Sequence, residues 1–196
     1  MAFISTRAAQ IASGGGNSTG GYMTASKLGD GESYRVAIVS ENPLEYFTVW
    51  GENDEGQKKP FRFTDEPNES DIKAELGDFR QRMNYEGTAL EKPKFAMSFF
   101  VYDYADSKIK VFEVGQKTLI GALDKLSQDE DYADLHAWDL KFGRKGTKMA
   151  TEYSVLPSPR KSGSQEEIDS AWSAAQEQGY DLQQLLVGGN PFGSGS

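Results

Sequence analysis

Apolar and polar positions alternate first between residues 34 and 38. There Tyr34, Val36 and Ile38 are separated by Arg35 and Ala37, as in a half-buried strand. Asn42-Pro43 marks a turn, and residues 46–50 form a second aromatic and β-branched run ending at Trp50. A polar loop over 51–59 leads to a short extended piece at Phe61 and Phe63. Ile72, Leu76, Phe79 and Met83 recur at helical spacing and predict a helix over 69–83, with Asn68 or Ser70 as its N-cap. Residues 95–104 and 108–114 predict a strand pair turning at Ala105-Asp106-Ser107. A helix over 116–126 follows, carrying Leu119, Ile120, Leu123 and Leu126. Two more strands are expected over 138–142 and 151–156, joined by a basic loop.

That order, two strands, a strand pair, one helix and two strands, predicts a mainly β chain built as an OB-like five-stranded barrel, a plan that has one helix between its third and fourth strands. Residues 51–94 are then a helical insertion in its first half, and Pro157 and Pro159 close the domain. Residues 1–31 are rich in Gly, Ser, Thr and Asn and are expected to be a flexible leader. The OB-like domain occupies 32–161, and 162–196 is expected to be a flexible acidic C-terminal tail. In that tail Ser164-Gln-Glu-Glu167 fits a capping box, so a short helix is expected with Ile168, Trp172 and Ala175 on one side.

Charge changes the picture more than composition does. The net charge is −9, yet residues 141–161 hold six bases (Lys141, Arg144, Lys145, Lys148, Arg160, Lys161) against Glu152 alone. Residues 162–196 hold five acids (Glu166, Glu167, Asp169, Glu177, Asp181) and no Lys or Arg. A basic segment followed by an acidic tail implies a polyanion site with a built-in competitor. Zero cysteines exclude disulfides and thiolate chemistry, and the single His136 argues against His-based metal or relay chemistry. No apolar stretch reaches the length of a membrane span, and the first residues lack a signal-peptide centre, so a soluble intracellular protein is expected.

Aromatic content is high, at 12%, and it concentrates the candidate chemistry. Period two puts Phe100, Tyr102 and Tyr104 on one strand face, followed across the hairpin by Lys108 and Lys110. Rings beside cations suit single-stranded nucleic acid, giving stacking platforms for bases and charges for phosphates. The alternative is that the 51–94 insertion covers that face. The loop Gly143-Arg-Lys-Gly-Thr-Lys148, with Lys141 beside it, is a candidate phosphate turn without Walker A spacing. Lys58, Lys59 and Arg62 between Phe61 and Phe63 form a second basic cluster, and Arg35 and Trp50 complete the expected DNA contacts. Trp172, Pro191 and Phe192 on the tail are candidates for docking a partner.

The acids Asp124, Asp129, Glu130, Asp131 and Asp134 read first as a solvated charge run, since they sit in a polar loop leaving a helix, with a metal-dependent nuclease as the alternative. They lack the spacing of a calcium loop, and His136 reads as a structural or surface residue.

One resemblance adds to these patterns. It is carried by Lys110-Val-Phe-Glu-Val-Gly-Gln-Lys-Thr-Leu-Ile120, Asp131-Tyr-Ala-Asp-Leu135, Trp138-Asp-Leu-Lys-Phe-Gly-Arg-Lys-Gly146 and Thr151-Glu-Tyr-Ser-Val-Leu-Pro157. These runs resemble tailed-phage single-stranded DNA-binding (helix-destabilising) proteins, over about a quarter of the chain. The resemblance implies an OB fold, cooperative sequence-independent binding and an acidic tail that recruits replication proteins such as a polymerase or helicase. It also implies residence in the cytoplasm of an infected bacterial host. Several relatives carry a zinc-binding insertion, whereas residues 51–94 here contain neither Cys nor His. The expected protein is therefore not an enzyme and needs no cofactor; it coats single-stranded DNA in replication, recombination or repair. Two alternatives stay open: the nuclease, and a virion or scaffold protein indifferent to nucleic acid. RNA satisfies the same stacking and phosphate contacts.

Overall fold

The computed structural model describes residues 20–193. Among the described residues nine strands make one mixed sheet: β1 (Tyr22–Thr24), β2 (Ser33–Ile38), β3 (Leu44–Glu52), β4 (Lys58–Phe63), β5 (Arg80–Gln81), β6 (Lys94–Asp103), β7 (Lys108–Val114), β8 (Trp138–Lys145) and β9 (Glu152–Pro159). Three α-helices accompany it in the described residues: α1 (Glu69–Leu76), α2 (Lys117–Gln128) and α3 (Gln165–Glu177). The strands run in the order β1-β7-β6-β2-β8-β9, with β3 also on β6 and carrying β4 and β5.

β2 and β3 are two parts of one bent strand. Both run antiparallel to β6, with Val36 opposite Asp103 in the first part and Leu44 opposite Ser98 in the second. Between them the register slips around Asn42-Pro43, and the gap is stitched by Val39 N donating to Phe100 O at 3.0 Å and Phe100 N donating to Ser40 Oγ at 3.0 Å. The bend gives β2 to β8 on one side and β3 to β4 on the other. With α2 between β7 and β8, this pairing is compatible with an OB-like barrel. β1 and β5 are strands the sequence pattern did not predict, and β4 lengthens the short extended piece expected at Phe61 and Phe63.

Three apolar clusters follow from strand alternation. Val36, Phe99, Val101, Phe112, Leu140 and Phe142 meet Leu119 and Leu123 of α2 inside the curled sheet. On the opposite face of β6 and β7, Phe100, Tyr102, Ile109 and Val111 meet Ile168 and Ala175 of α3, then Leu182, Leu185 and Phe192. Val49 and Phe61 of the β3–β4 arm pack on Ile72 and Leu76 of α1.

Several sequence expectations change. Residues 1–19 of the expected leader lie outside the described residues, but its last part is built in: β1 pairs parallel with β7, and Met23, Ala25 and Leu28 are buried. The helix predicted to reach Met83 stops at Leu76, because Gly77 takes φ 54° and the chain turns into β5. Asn68 does cap it, accepting from Ser70 N and Asp71 N while Asp71 accepts from Asn68 N. The C-terminal segment expected to trail free lies along β6 and β7. Its helix starts at Gln165 as predicted but without the capping box, because Ser164 Oγ donates to Lys161 O at 2.7 Å and Glu167 turns to Tyr102.

Candidate nucleic-acid interface

Strand alternation does put Phe100, Tyr102 and Tyr104 on one face of β6, yet it is not an open face. Phe100 and Tyr102 are 2% and 1% exposed. The C-terminal segment covers them, rather than the 51–94 insertion. Phe100 lies 5.4 Å from the Trp172 ring and 5.6 Å from the Tyr180 ring. Tyr102 donates its hydroxyl to Glu167 Oε1 at 2.5 Å. Burial and that bond raise the Tyr102 pKa, and the same bond lowers that of Glu167. The two rings are thus interior groups in this arrangement, and only Tyr104 stays partly exposed.

The predicted docking residues of the tail are occupied by their own chain. Phe192 is buried, edge-on to Tyr22 at 5.1 Å and to Tyr180 at 5.4 Å; Pro191 is buried and Trp172 half-buried. Arg62 is spent on the same docking. It lies over the Tyr46 ring at 5.2 Å, pairs with Glu113 at 3.5 Å and donates to Leu185 O at 3.4 Å. Tyr46, fully buried, gives its hydroxyl to Glu113 at 2.6 Å; burial, with Glu113 next, pushes its pKa far up.

Lys110 is likewise an internal cation, paired with Asp103 at 2.7 Å and Asp106 at 2.8 Å. Burial alone would lower its pKa, but the bonds to the two aspartates outweigh burial and raise it. Lys108, at the start of β7, is exposed.

The open cationic surface lies one strand over, on the outer side of β2, β8 and β9, and a buried acid organises it. Asp139 is 0% exposed. Its Oδ2 accepts from Arg35 Nε at 2.9 Å and from the Lys161 backbone N–H at 3.2 Å, and its Oδ1 from the Tyr104 hydroxyl at 2.8 Å. Arg160 Nη1 stands 3.3 Å away, on a side chain that is mostly buried and also donates to His136 O, so Arg160 braces the patch from beneath. Arg35 and Lys161 both sit over the Tyr104 ring, at 5.5 and 5.8 Å. Lys141 lies beside Arg35 across the β2–β8 ladder, and both are exposed. One carboxylate thus holds two guanidinium groups and a lysine backbone around a half-exposed ring, leaving a net positive patch with preset geometry. Sequence reasoning missed Asp139. Its signal was a lone acid on the polar face of a strand whose other face is Trp138, Leu140 and Phe142.

The basic loop divides. Arg144 points inward and donates to Leu28 O at 2.7 Å and Ser26 O at 3.3 Å, clasping the segment after β1. Gly146 N, a candidate anion donor, already serves Asp30 Oδ1 at 2.6 Å. Gly146 holds φ 80°, and a Cβ there would lie 2.1 Å from Ala150 O, so the turn needs glycine. Lys145 and Lys148 remain exposed, with Lys145 across from Glu152.

On the arm, Trp50 is 36% exposed opposite Pro60. Lys58 faces Glu52 at 3.8 Å, and Lys59 lies over the Phe61 ring at 4.9 Å; both lysines are exposed. The acids after α2 do not converge. Asp129 accepts from Asp131 N at 2.9 Å, and Asp134 caps the turn at His136 N at 3.1 Å. His136 takes a structural place, its Nε2 lying 2.9 Å from Ser40 O. Among the described residues no group of three or more His, Asp or Glu is placed to hold a metal ion, and no helix is long and apolar enough to cross a membrane.

Comparison with known proteins adds one finding. Over 130 residues the chain is 32% identical to a curated protein of Escherichia phage T5 named "Probable ssDNA-binding protein", a match covering 62% of this chain and 50% of the relative. The chain therefore spans about half the length of that relative. No family model matches the chain. No solved structure matches it.

Proposed function

We propose that this chain binds single-stranded DNA, without sequence preference, across the outer face of β2, β8 and β9. The observation that carries the proposal is the cluster of Arg35, Lys141, Arg160 and Lys161 around buried Asp139, supported by the similarity to the phage T5 protein named as a probable ssDNA-binding protein. Asp139 fixes the guanidinium groups before any ligand arrives, which lowers the ordering cost of phosphate binding. Lys145 and Lys148 extend the patch toward the loop, and half-exposed Tyr104 offers a ring at its centre. Trp50 with Lys58 and Lys59 on the arm makes a second contact, where a base stacks and phosphates pair.

This reading takes the barrel as OB-like, with 51–94 as its insertion, and the chain as akin to tailed-phage helix-destabilising proteins. Such a protein coats strands during replication, recombination or repair in the cytoplasm of an infected host. It needs no catalytic residue and no cofactor. Replication proteins and further copies of itself are its proposed partners, met through the outer, acidic side of α3 rather than through Trp172, Pro191 and Phe192.

A gel shift with labelled oligo-dT, with and without EDTA, tests the proposal. Binding unaffected by EDTA, with the oligonucleotide intact, is expected. Strand loss that needs Mg²⁺ would instead favour the nuclease, and no shift at low salt would favour a scaffold protein.

A further inference from the structure

The arm made by β3, β4 and β5 carries a second aromatic and cationic surface. Alternation sends Val49 and Gly51 toward α1: Val49 packs with Ile72 and Leu76, and a Cβ on Gly51 would meet Leu76 and Phe79. Thr48, Trp50 and Glu52 therefore face the other way, on the side where Arg62 lies over Tyr46. Register sets what stands beside the indole. Pro60 of β4 is opposite Trp50 on one side. On the other, Arg82 N donates to Trp50 O at 2.8 Å, which carries the β3–β5 ladder one step beyond Gln81 and puts Arg82 in the same row. The next row is Lys58, Glu52 and Arg80.

Lys58 faces Glu52, and Arg80 pairs with Asp54. Glu91, joined to Arg82 by a backbone bond, gives its carboxylate to Lys94 instead. The exposed Arg82 guanidinium forms no hydrogen bond or ion pair among the described residues. Trp50 is 36% exposed in the row between it and the Pro60 ring. An open indole flanked by an uncommitted guanidinium suits a stacked base and its phosphate. This surface and the Asp139 cluster lie toward opposite ends of β6. Asp103 pairs with Val36 at one end and Lys94 with Thr48 at the other, a run of about 30 Å at 3.3–3.4 Å per residue. Between the two, the C-terminal segment packs over Phe100 and Tyr102.

We propose that Trp50 and Arg82 form a second nucleotide site, so that one molecule grips a single strand at two places about 30 Å apart along β6. The inference rests on the reading of the β2–β8–β9 face as DNA-binding. A strand too short to span both places meets one of them. A longer strand meets both, and its second contact forms within the complex, at an effective concentration of about millimolar. At about 3.4 Å per stacked nucleotide, the span holds about nine nucleotides, and fewer in a stretched strand. Affinity should therefore rise in a step near that length, not in proportion to the number of places where a strand can start.

The test is the affinity of the full chain for labelled oligo-dT of about 4 to 24 nucleotides at one salt concentration, read by fluorescence anisotropy. The wild type should show the step. Trp50→Ala/Arg82→Ala should lose it, binding the long oligonucleotides about tenfold or more weakly and the shortest ones no more than about twofold more weakly. Arg82→Glu, which leaves the indole and the strand core in place, should remove the step as well. A smooth rise with length that both variants leave unchanged would overturn the second site while leaving the β2–β8–β9 face standing. An equal loss at every length would also overturn it, by making the arm the sole site. Absence of binding at any length at low salt would overturn both this inference and the reading on which it rests.

Discussion

The Tyr102 hydroxyl donates to Glu167 at 2.5 Å, joining the strand face expected to meet DNA to the helix expected to trail free. This bond lowers the Glu167 pKa, with a bond from Ser107 and the field of Lys161 adding to the effect. A carboxylate held below its usual range contributes stability above its unfolded pKa and loses it as pH falls through the folded value. Docking of α3 should therefore weaken below roughly pH 4.5. Trp172 fluorescence followed from pH 7 to 3 reports it, since Trp172 packs on Phe100. Glu167→Gln should flatten the part of the transition owed to this bond; an unchanged profile would mean the bond contributes nothing to docking.

Phe100→Ala should act on stability before it acts on binding. The ring is 2% exposed and touches both Trp172 and Tyr180, so its loss leaves a cavity costing about 3–5 kcal/mol. Urea unfolding measures this. A loss under 1 kcal/mol, alongside a large drop in DNA affinity, would restore the ring to the binding surface.

Arg144→Ala separates clasp from contact. Its guanidinium holds Leu28 O and Ser26 O, so amide exchange over residues 25–31 should speed up markedly while the salt dependence of DNA binding stays as in the wild type. A flatter salt dependence would return Arg144 to the interface.

Much of the core was legible in the sequence, because period two in β2, β6, β7 and β8 and period 3.6 in α2 each bury one side. Alternation could not say what covers the second face of β6. That depends on a segment more than sixty residues downstream, and Ile168, Leu182 and Phe192 read equally well as a partner-docking side. Net charge misled for the same reason. Glu166, Asp169 and Glu177 face outward while the tail's apolar side packs, and each such buried side chain contributes roughly 1.5–3 kcal/mol. Arg35, Lys141 and the loop bases were visible as charges. Local pattern did not show that Lys110, Arg62 and Arg144 are committed to partners inside the fold, since those partners lie on other strands or, for Arg144, in the segment after β1.

Asp139→Asn puts the organising role of the buried carboxylate to the test. The substitution raises the net charge by one, which by long-range attraction alone would tighten DNA binding. It also weakens the hold on Arg35 and Arg160, at a stability cost of about 1–3 kcal/mol, because Arg35 is 41% exposed. Affinity for oligo-dT should fall several-fold despite the added charge. Tighter binding would show that charge, not its arrangement, sets affinity.

The most direct measurement is the salt dependence of oligo-dT affinity for Lys141→Ala/Lys161→Ala against the wild type. Neither ammonium group forms an ion pair among the described residues, so removing both changes the patch without opening the Asp139 network. Each phosphate contact on a single strand contributes about 0.7 to the log–log slope, so the double variant should lose roughly 1.4. A control carrying Lys73→Ala and Lys125→Ala, on the exposed sides of α1 and α2, should keep the wild-type slope. Equal slopes for the wild type and the Lys141/Lys161 variant would contradict the account and remove the β2–β8–β9 face from the binding site.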